Sequence, residues 1–431
     1  MKHSLFLIVY TLYFSYRGLT DPFLAIVPYY TFAVLRPQAT WQWSLPEGVR
    51  WSFYAAIAGI LIVMTHAQKL SFRTSRKFFL PAVIGFAGLA FLSFAMAMNT
   101  KAAALLMEEY AKILLMMLVA VFAITRPSHH RILGMVILVC LSYLIFNVNQ
   151  LYVFENRLDI YGRGYGGLDN NGAGLMLAMA IPFMYFAFVA EHRPWRWGYL
   201  ALTLPAAHAI MLTYSRGAML SAIVASVGMI LVGSKKKVRS IMVLLLIGAA
   251  LLPLAGKEVR ERFSTISESE KEASANSRFM SWEAGWEIAK DYPLLGVGLR
   301  NSNLIIKRYG ADVEGRTIHN VYIQIAADTG LPAISVWLLM VGIALRGFWR
   351  ASRRAGQNMD DREMRWHYAT CQAGFWSLFL FCFGAVFLSL EVFELPYLLM
   401  VMGATAEGVM KPQTAPKPQP VGMRSLSPKA A

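Results

Sequence analysis

Apolar runs of bilayer-spanning length follow one another along this chain with little polar sequence between them, and that succession limits what it can fold into. They lie near 50–67, 78–98, 103–125, 131–152, 172–190, 197–214, 217–232, 239–256, 319–345, 367–388 and 391–409. The opening stretch 4–35 holds two shorter runs divided by Arg17, Asp21 and Pro22, readable as one broken span, a re-entrant pair or two spans. The expectation is an all-α, polytopic integral membrane protein of about twelve transmembrane helices. Of the 431 residues, 57% are hydrophobic and 15% charged, and no polar block is long enough to bury a core of its own. Residues 1–410 therefore read as a single membrane domain with one large loop, 257–318, inserted in it. The proline- and lysine-rich stretch 411–431 reads as a disordered cytoplasmic tail.

The formal net charge of +16 raises the question of nucleic acid, but the basic residues sit in short connections beside apolar runs, so nucleic acid is excluded as a partner. Clusters at Lys69/Arg73/Arg76/Lys77, Arg126/Arg131, Arg193/Arg196, Lys235/Lys236/Lys237/Arg239 and from Arg346 to Arg365 fall on every second connection, which marks those as cytoplasmic. The intervening connections, near 99–102, 153–171, 214–217, 257–318 and 389–391, then face the opposite side. Met1-Lys2-His3 before apolar sequence resembles a signal peptide, yet no small-residue cleavage site follows, so it reads as a retained first span. Cys140, Cys371 and Cys382 all lie inside apolar runs, as small core residues would, with no metal-ligand or disulfide spacing.

The outward side holds the residues with chemistry to offer. Arg216, in Tyr214-Ser215-Arg216-Gly217, sits in a tight link between two apolar runs, where a guanidinium either clamps an anion through its paired donors or snorkels to anchor a helix end. In the large loop, Ser274-Ala275-Asn276-Ser277 offers helix caps before a segment in which Phe279, Trp282 and Trp286 recur at helical spacing. That predicts an interfacial helix with Arg278 in its first turn, as an anion site or as incidental charge. Gly296-Val297-Gly298 and Arg300 follow. His319 stands at the mouth of the next run, with Asn320, Gln324 and Asp328 spaced along one face before Gly330-Leu331-Pro332 kinks or breaks the helix. Neutral imidazole takes a proton from a hydroxyl, although a lone histidine at a helix mouth also serves structure. His208 reads first as a packed polar residue that could neighbour the site. Glu108, Glu109, Glu391 and Glu394 fall near the same face, as auxiliary bases or helix-end solvation.

Several chemistries drop out. The outer side has no Asp-x-Asp to hold a divalent ion on a diphosphate and no paired histidines at metal-ligand spacing. There is no glycine loop with its lysine for phosphate, no Gly-x-Ser-x-Gly and no dinucleotide fingerprint. No cofactor and no metal is expected. Arginines and one histidine at the outer leaflet suit a substrate that brings its own phosphate leaving group on a lipid.

Three segments, TYSRGAML around Arg216, NSRFMSWEAGWEIAKDYPLLGVGLRNS around Arg278 and TIHNVYIQIAADTGLP around His319, together resemble the lipopolysaccharide O-antigen ligase and O-antigen polymerase superfamily over about 170–345. The N-terminal half, with its broken first span and Arg36-Pro37, looks like the exosortase-associated O-glycosylation ligase subgroup. This resemblance implies a GT-C-like membrane glycosyltransferase of the bacterial inner membrane with its active site facing the periplasm. Its donor would be an undecaprenyl-diphosphate-linked glycan, and the transfer inverting and metal-independent. The acceptor would be lipid A core, a protein or, for a polymerase, the growing glycan, with membrane lipids around the enzyme. Carried onto this chain, the resemblance makes Arg216 and Arg278 the diphosphate clamp and His319 the residue that assists the acceptor, with Asn320, Arg300 and His208 as auxiliaries. Asp328 departs from the pattern, standing where the family often carries glutamate. A lipid-linked glycan or solute transporter is the competing class, and it should place ionisable residues at mid-membrane.

Overall fold

A computed structural model describes residues 2–66, 78–155, 160–233 and 268–410, with isolated positions between 238 and 245. The run expected over 239–256, the basic clusters at Lys69–Lys77 and Lys235–Arg239, and the tail 411–431 lie outside the described residues. Among the described residues all regular structure is helical, and β-type pairing is confined to one bridge between Tyr165 and Leu168.

The opening stretch resolves into two helices, α1 (Lys2–Gly18) and α2 (Pro22–Leu35). Pro22 in the first turn of α2 needs no amide, and Asp21 accepts from the Phe23 amide, so the residues that interrupt the apolar run start the second helix. Single helices follow: α3 (Trp51–Thr65), α4 (Phe79–Ala95), α5 (Thr100–Ala123) and α6 (Pro127–Gln150). The next two runs are each broken once, into α7 (Asn170–Ala178) with α8 (Ala180–Ala190), and α9 (Arg196–Ala201) with α10 (Thr203–Leu212). Then come α11 (Arg216–Gly233), α12 (Glu268–Asp291), α13 (Val321–Thr329), α14 (Leu331–Ala355), α15 (Arg362–Gly384) and α16 (Glu394–Ala406). Among the described residues four helical stretches are long and apolar enough to cross a membrane, Pro127–Phe154, Asn170–Ala190, Leu331–Asn358 and Arg362–Phe387, and shorter apolar helices accompany them. Large apolar side chains such as Phe146 (63% exposed) and Leu61 (59%) face outward along these helices. Water would penalise such a surface, whereas lipid tails do not.

Connections alternate between two ends of the bundle. At one end Asp21 meets His129 and Arg126, and Arg365 donates to the Ala190 carbonyl. The described basic residues of the alternate connections, Arg126, Arg193, Arg196 and Arg365 among them, gather there. His129 and His130 lie buried in the first turn of α6. His129 stacks on Phe23, and His130 bonds Met402 O and Thr405 Oγ1. At the other end the Asn99 amide donates to Asn301, and Ser215 donates to Asn171.

α14 crosses α16 in backbone contact. A Cβ on Gly347 would stand 2.0 Å from the Gly403 carbonyl oxygen, and one on Gly403 would stand 2.4 Å from that of Ala344, so the two backbones touch with no side chain between them. Such contact is how helices associate where no hydrophobic effect separates them from lipid. A Cβ on Gly342, one turn away, would meet nothing within 4 Å. Gly347→Ala should therefore lower the thermal unfolding midpoint of the purified protein by several degrees, while Gly342→Ala leaves it unchanged or slightly raised. Equal effects would show that the crossing does not hold the bundle.

Candidate active site

The site is built around a broken helix. Gly330, at φ +94, ends α13, and α14 restarts with Pro332 in its first turn, as the Gly-Leu-Pro signature predicts. The break orphans carbonyls on one side and amides on the other. The strap after α12 satisfies them: Val297 N donates to Ala327 O (3.0 Å), Gly298 N to Asp328 O (3.0 Å), and Pro293 O accepts from Leu331 N (2.8 Å). Gly296 is required for this approach, since at φ +63 a Cβ would lie 2.4 Å from the Asp328 carbonyl carbon. Buried polar groups complete the junction. Asp328 accepts from the Ser302 amide (2.9 Å) and from Gln324 Nε2 (2.7 Å), and Gln324 Oε1 accepts from the Ile318 amide (3.3 Å).

That last bond sits one residue before His319, whose backbone is left-handed at φ 55. Its amide donates to Ser389 Oγ (2.9 Å), and its Nε2 lies 3.0 Å from Thr317 Oγ1. Asn320 is spent as the cap of α13, accepting from the Tyr322 (3.0 Å) and Ile323 (3.2 Å) amides. Burial first, then the positive charge of Arg278, pushes the His319 imidazole below its ordinary value, opposed by the negative charge of Asp169. At neutral pH the ring is unprotonated and can accept a proton.

Arg278 does not open its helix. α12 begins at Glu268 and runs through Ser274–Ser277, so Arg278 stands in its interior, far from the terminal amides invoked for a first-turn position. Glutamate, lysine and alanine favour helix there, and serine or asparagine in the interior weakens it without stopping it. The following loop is clipped to this helix by Asp312, which accepts from Ser277 Oγ (3.0 Å) and Arg316 Nη1 (2.6 Å). Gly285 lets Ile318 and Ile323 close on α12, as a Cβ would meet Ile318 Cδ1 at 2.7 Å.

Arg216 opens α11, with Ser215 capping through the Ala218 amide (3.2 Å) and Tyr214 before it in a left-handed turn. Asn170 and Asn171 tie this turn to the start of α7, bonding Thr213 O (3.2 Å) and Ser215 Oγ (2.9 Å). The Arg278 guanidinium is half-buried, and burial first, then the charge of Arg216, weakens its hold on its proton, with Asp169 opposing. Arg278 and His319 thus act on each other and both feel Asp169, while Arg216 acts on Arg278, which gathers four separated segments at the same end of the bundle. Sequence reasoning gave Asp169 no role. Its Asp-Asn-Asn context is a visible helix cap, and its side chain accepts from Gly172 N (2.8 Å), but its partners come from far along the chain. Beside this group Trp282 packs on Phe387 (centroids 6.2 Å apart), and its indole N–H is buried with no acceptor among the described residues.

Two expected auxiliaries are engaged elsewhere. His208 bonds Asn149 and meets Tyr152 edge-on, joining α10 to α6. Arg300 lines a cavity of about 790 Å³ that contains none of Arg216, Arg278 and His319. Glu108 pairs with Arg50, and Glu109 and Glu394 with Lys112. Among the described residues no three His, Cys, Asp or Glu side chains gather as a metal site requires.

Residues 201–338 match the family model described as O-antigen ligase, a segment that contains Arg216, Arg278, Arg300, His319 and Asn320. No curated protein matches the chain.

Outside the matched segment, the turn that supplies Ser389 also holds Glu391. Its Oε2 is closed off from solvent without a hydrogen-bond partner among the described residues, and burial raises its carboxyl to about 7 from an ordinary 4.5. Because the folded value is the higher one, this group's contribution to stability is complete below pH 4.5 and is lost as pH rises through about 7. Glu391→Gln should raise the unfolding midpoint at pH 8 by a few degrees and change it little at pH 5. An equal shift at both pH values would contradict an ionisation penalty.

Proposed function

We propose a specific reaction for this chain, which belongs to the O-antigen ligase and polymerase superfamily through residues 201–338. It transfers a glycan from undecaprenyl diphosphate to an acceptor hydroxyl on lipid A core or a protein, at the periplasmic face of the bacterial inner membrane. About twelve spans carry the site. One observation supports this most directly: Arg278 lies within electrostatic reach of both the Arg216 guanidinium and the unprotonated His319 imidazole, three groups from three segments of the matched region.

In the proposed step the acceptor oxygen attacks the anomeric carbon from the face opposite the leaving group and forms the new C–O bond. The bond to the diphosphate breaks, and its electron pair leaves with the lipid carrier. Arg216 and Arg278 offset the charge that grows on the departing diphosphate, a contribution on the order of several kcal/mol. His319 takes the proton from the hydroxyl, worth on the order of 10²–10⁴-fold in rate. Asp169 acts through these groups, favouring the charged form of Arg278 and raising the proton affinity of the imidazole against the effect of burial. Single-displacement geometry inverts the anomeric configuration.

Incubation of the purified protein with an undecaprenyl-diphosphate glycan and candidate acceptors tests the reaction. The expected product is glycosylated acceptor with inverted linkage. A glycan lengthened on its own carrier would identify a polymerase, and unmodified glycan moved across a vesicle membrane would identify a transporter. His319→Ala and Arg216→Ala should each reduce transfer at least 10²-fold with expression and insertion unchanged. Retained transfer in both variants rejects the assignment of roles. Asp169→Asn keeps the helix cap and removes the charge that raises His319, so the acid limb of the kcat/KM profile should move to lower pH. An unmoved limb would detach Asp169 from the histidine.

A further inference from the structure

The cavity of about 790 Å³ that contains Arg300 is lined by none of Arg216, Arg278 and His319. It lies between α2, α3 and α5 at the same end of the bundle as His319. Its charged lining holds Arg36, Arg50, Lys112 and Arg300 against Glu108, Glu109 and Glu394. Among the described residues the three carboxylates are consumed by ion pairs with Arg50 and Lys112, while Arg36 and Arg300 form no salt bridge and Arg300 acts on the buried Glu391 only through its charge. Both of these arginines hold left-handed backbone, at φ 51 and φ 61, a conformation that costs energy in any residue but glycine. Deeper along α3 and α5 the wall becomes apolar, through Ile57, Ile60, Leu115 and Met116. This wall is open on its outer side, because Phe53 is 45% exposed, Ile57 40%, Leu105 66% and Leu115 47%, on helices whose outward faces meet lipid.

A ligand that satisfies all of this carries negative charge at one end and hydrocarbon at the other, and it enters from the bilayer. We propose that the cavity binds a phosphate-headed membrane lipid, with its phosphate between Arg36 and Arg300 and an acyl chain along Ile57, Ile60 and Leu115. Guanidinium favours phosphate oxygens through paired donors, and two arginines without a salt bridge at a lipid-open slot match a single anionic headgroup. The site is separate from the Arg216, Arg278 and His319 group and does not depend on the transfer reaction.

Native mass spectrometry of the full chain released from detergent tests it, with phosphatidylglycerol, diacylglycerol of the same acyl chains, and inorganic phosphate as probes. One phosphatidylglycerol should be retained about tenfold or more over diacylglycerol, and inorganic phosphate should not displace it at equal concentration. Arg36→Asn and Arg300→Asn remove the charge with a residue that tolerates left-handed backbone, and each should weaken retention about tenfold. Lys307→Gln, an exposed charge elsewhere in the loop, should not. Equal retention of diacylglycerol, displacement by free phosphate, or unchanged binding in both arginine variants overturns the proposal.

Discussion

A helix that breaks where it is buried in protein cannot leave its terminal amides and carbonyls to the solvent. The interruption at Gly330 is possible only because the strap from Pro293 to Gly298 brings its own backbone to Ala327, Asp328 and Leu331. Everything around His319 follows from that substitution of one backbone for another. The strap fixes α13, and the buried Asp328–Gln324 pair passes its position to the Ile318 amide. Ser389 then holds the next residue from the opposite side. The imidazole is placed by main-chain bonding, which a mobile loop would not provide.

The electrostatics of the same region run against comfort. Arg216 and Arg278 are close enough for their charges to repel, in surroundings that already weaken ionisation, and one carboxylate, Asp169, opposes them. A cluster in which cations outnumber anions is destabilised when empty and relieved by an anion. The cavity at Arg36 and Arg300 repeats that imbalance with an apolar wall added.

Much of the architecture was legible in the apolar runs. Each expected run among the described residues appears as helix, and the polar residues at Arg17–Pro22 mark a reversal between α1 and α2. Breaks inside runs were harder to see. Gly330-Leu331-Pro332 announces one, and the interruptions at Met179 and Leu202 each stand three residues ahead of a proline, Pro182 and Pro205, which cannot bond the carbonyls of Ala178 and Ala201 where the preceding helices end. Caps misled at Ser274–Ser277, where residues that can stop a helix lie within one, and Arg278 moved from its first turn to its interior. Asp169 was invisible for a different reason: its local pattern describes a cap completely, and its charge matters only through residues more than a hundred positions away. Arg300 stood close to His319 in sequence, yet the strap turns it to another cavity, since sequence distance does not report which way a loop faces.

Outside glycine, left-handed backbone occurs among the described residues at Arg36, Tyr214, Arg300 and His319, all at this end of the bundle. Each position costs on the order of a kcal/mol that glycine would avoid. The protein therefore keeps a reserve of conformational discomfort at its mouth, and relieving it by glycine would make the chain easier to fold while removing the ring or guanidinium that the discomfort holds in place. Durability and chemistry pull on these four residues in opposite directions, so a search for hardier variants will be drawn first to the positions it can least afford to change.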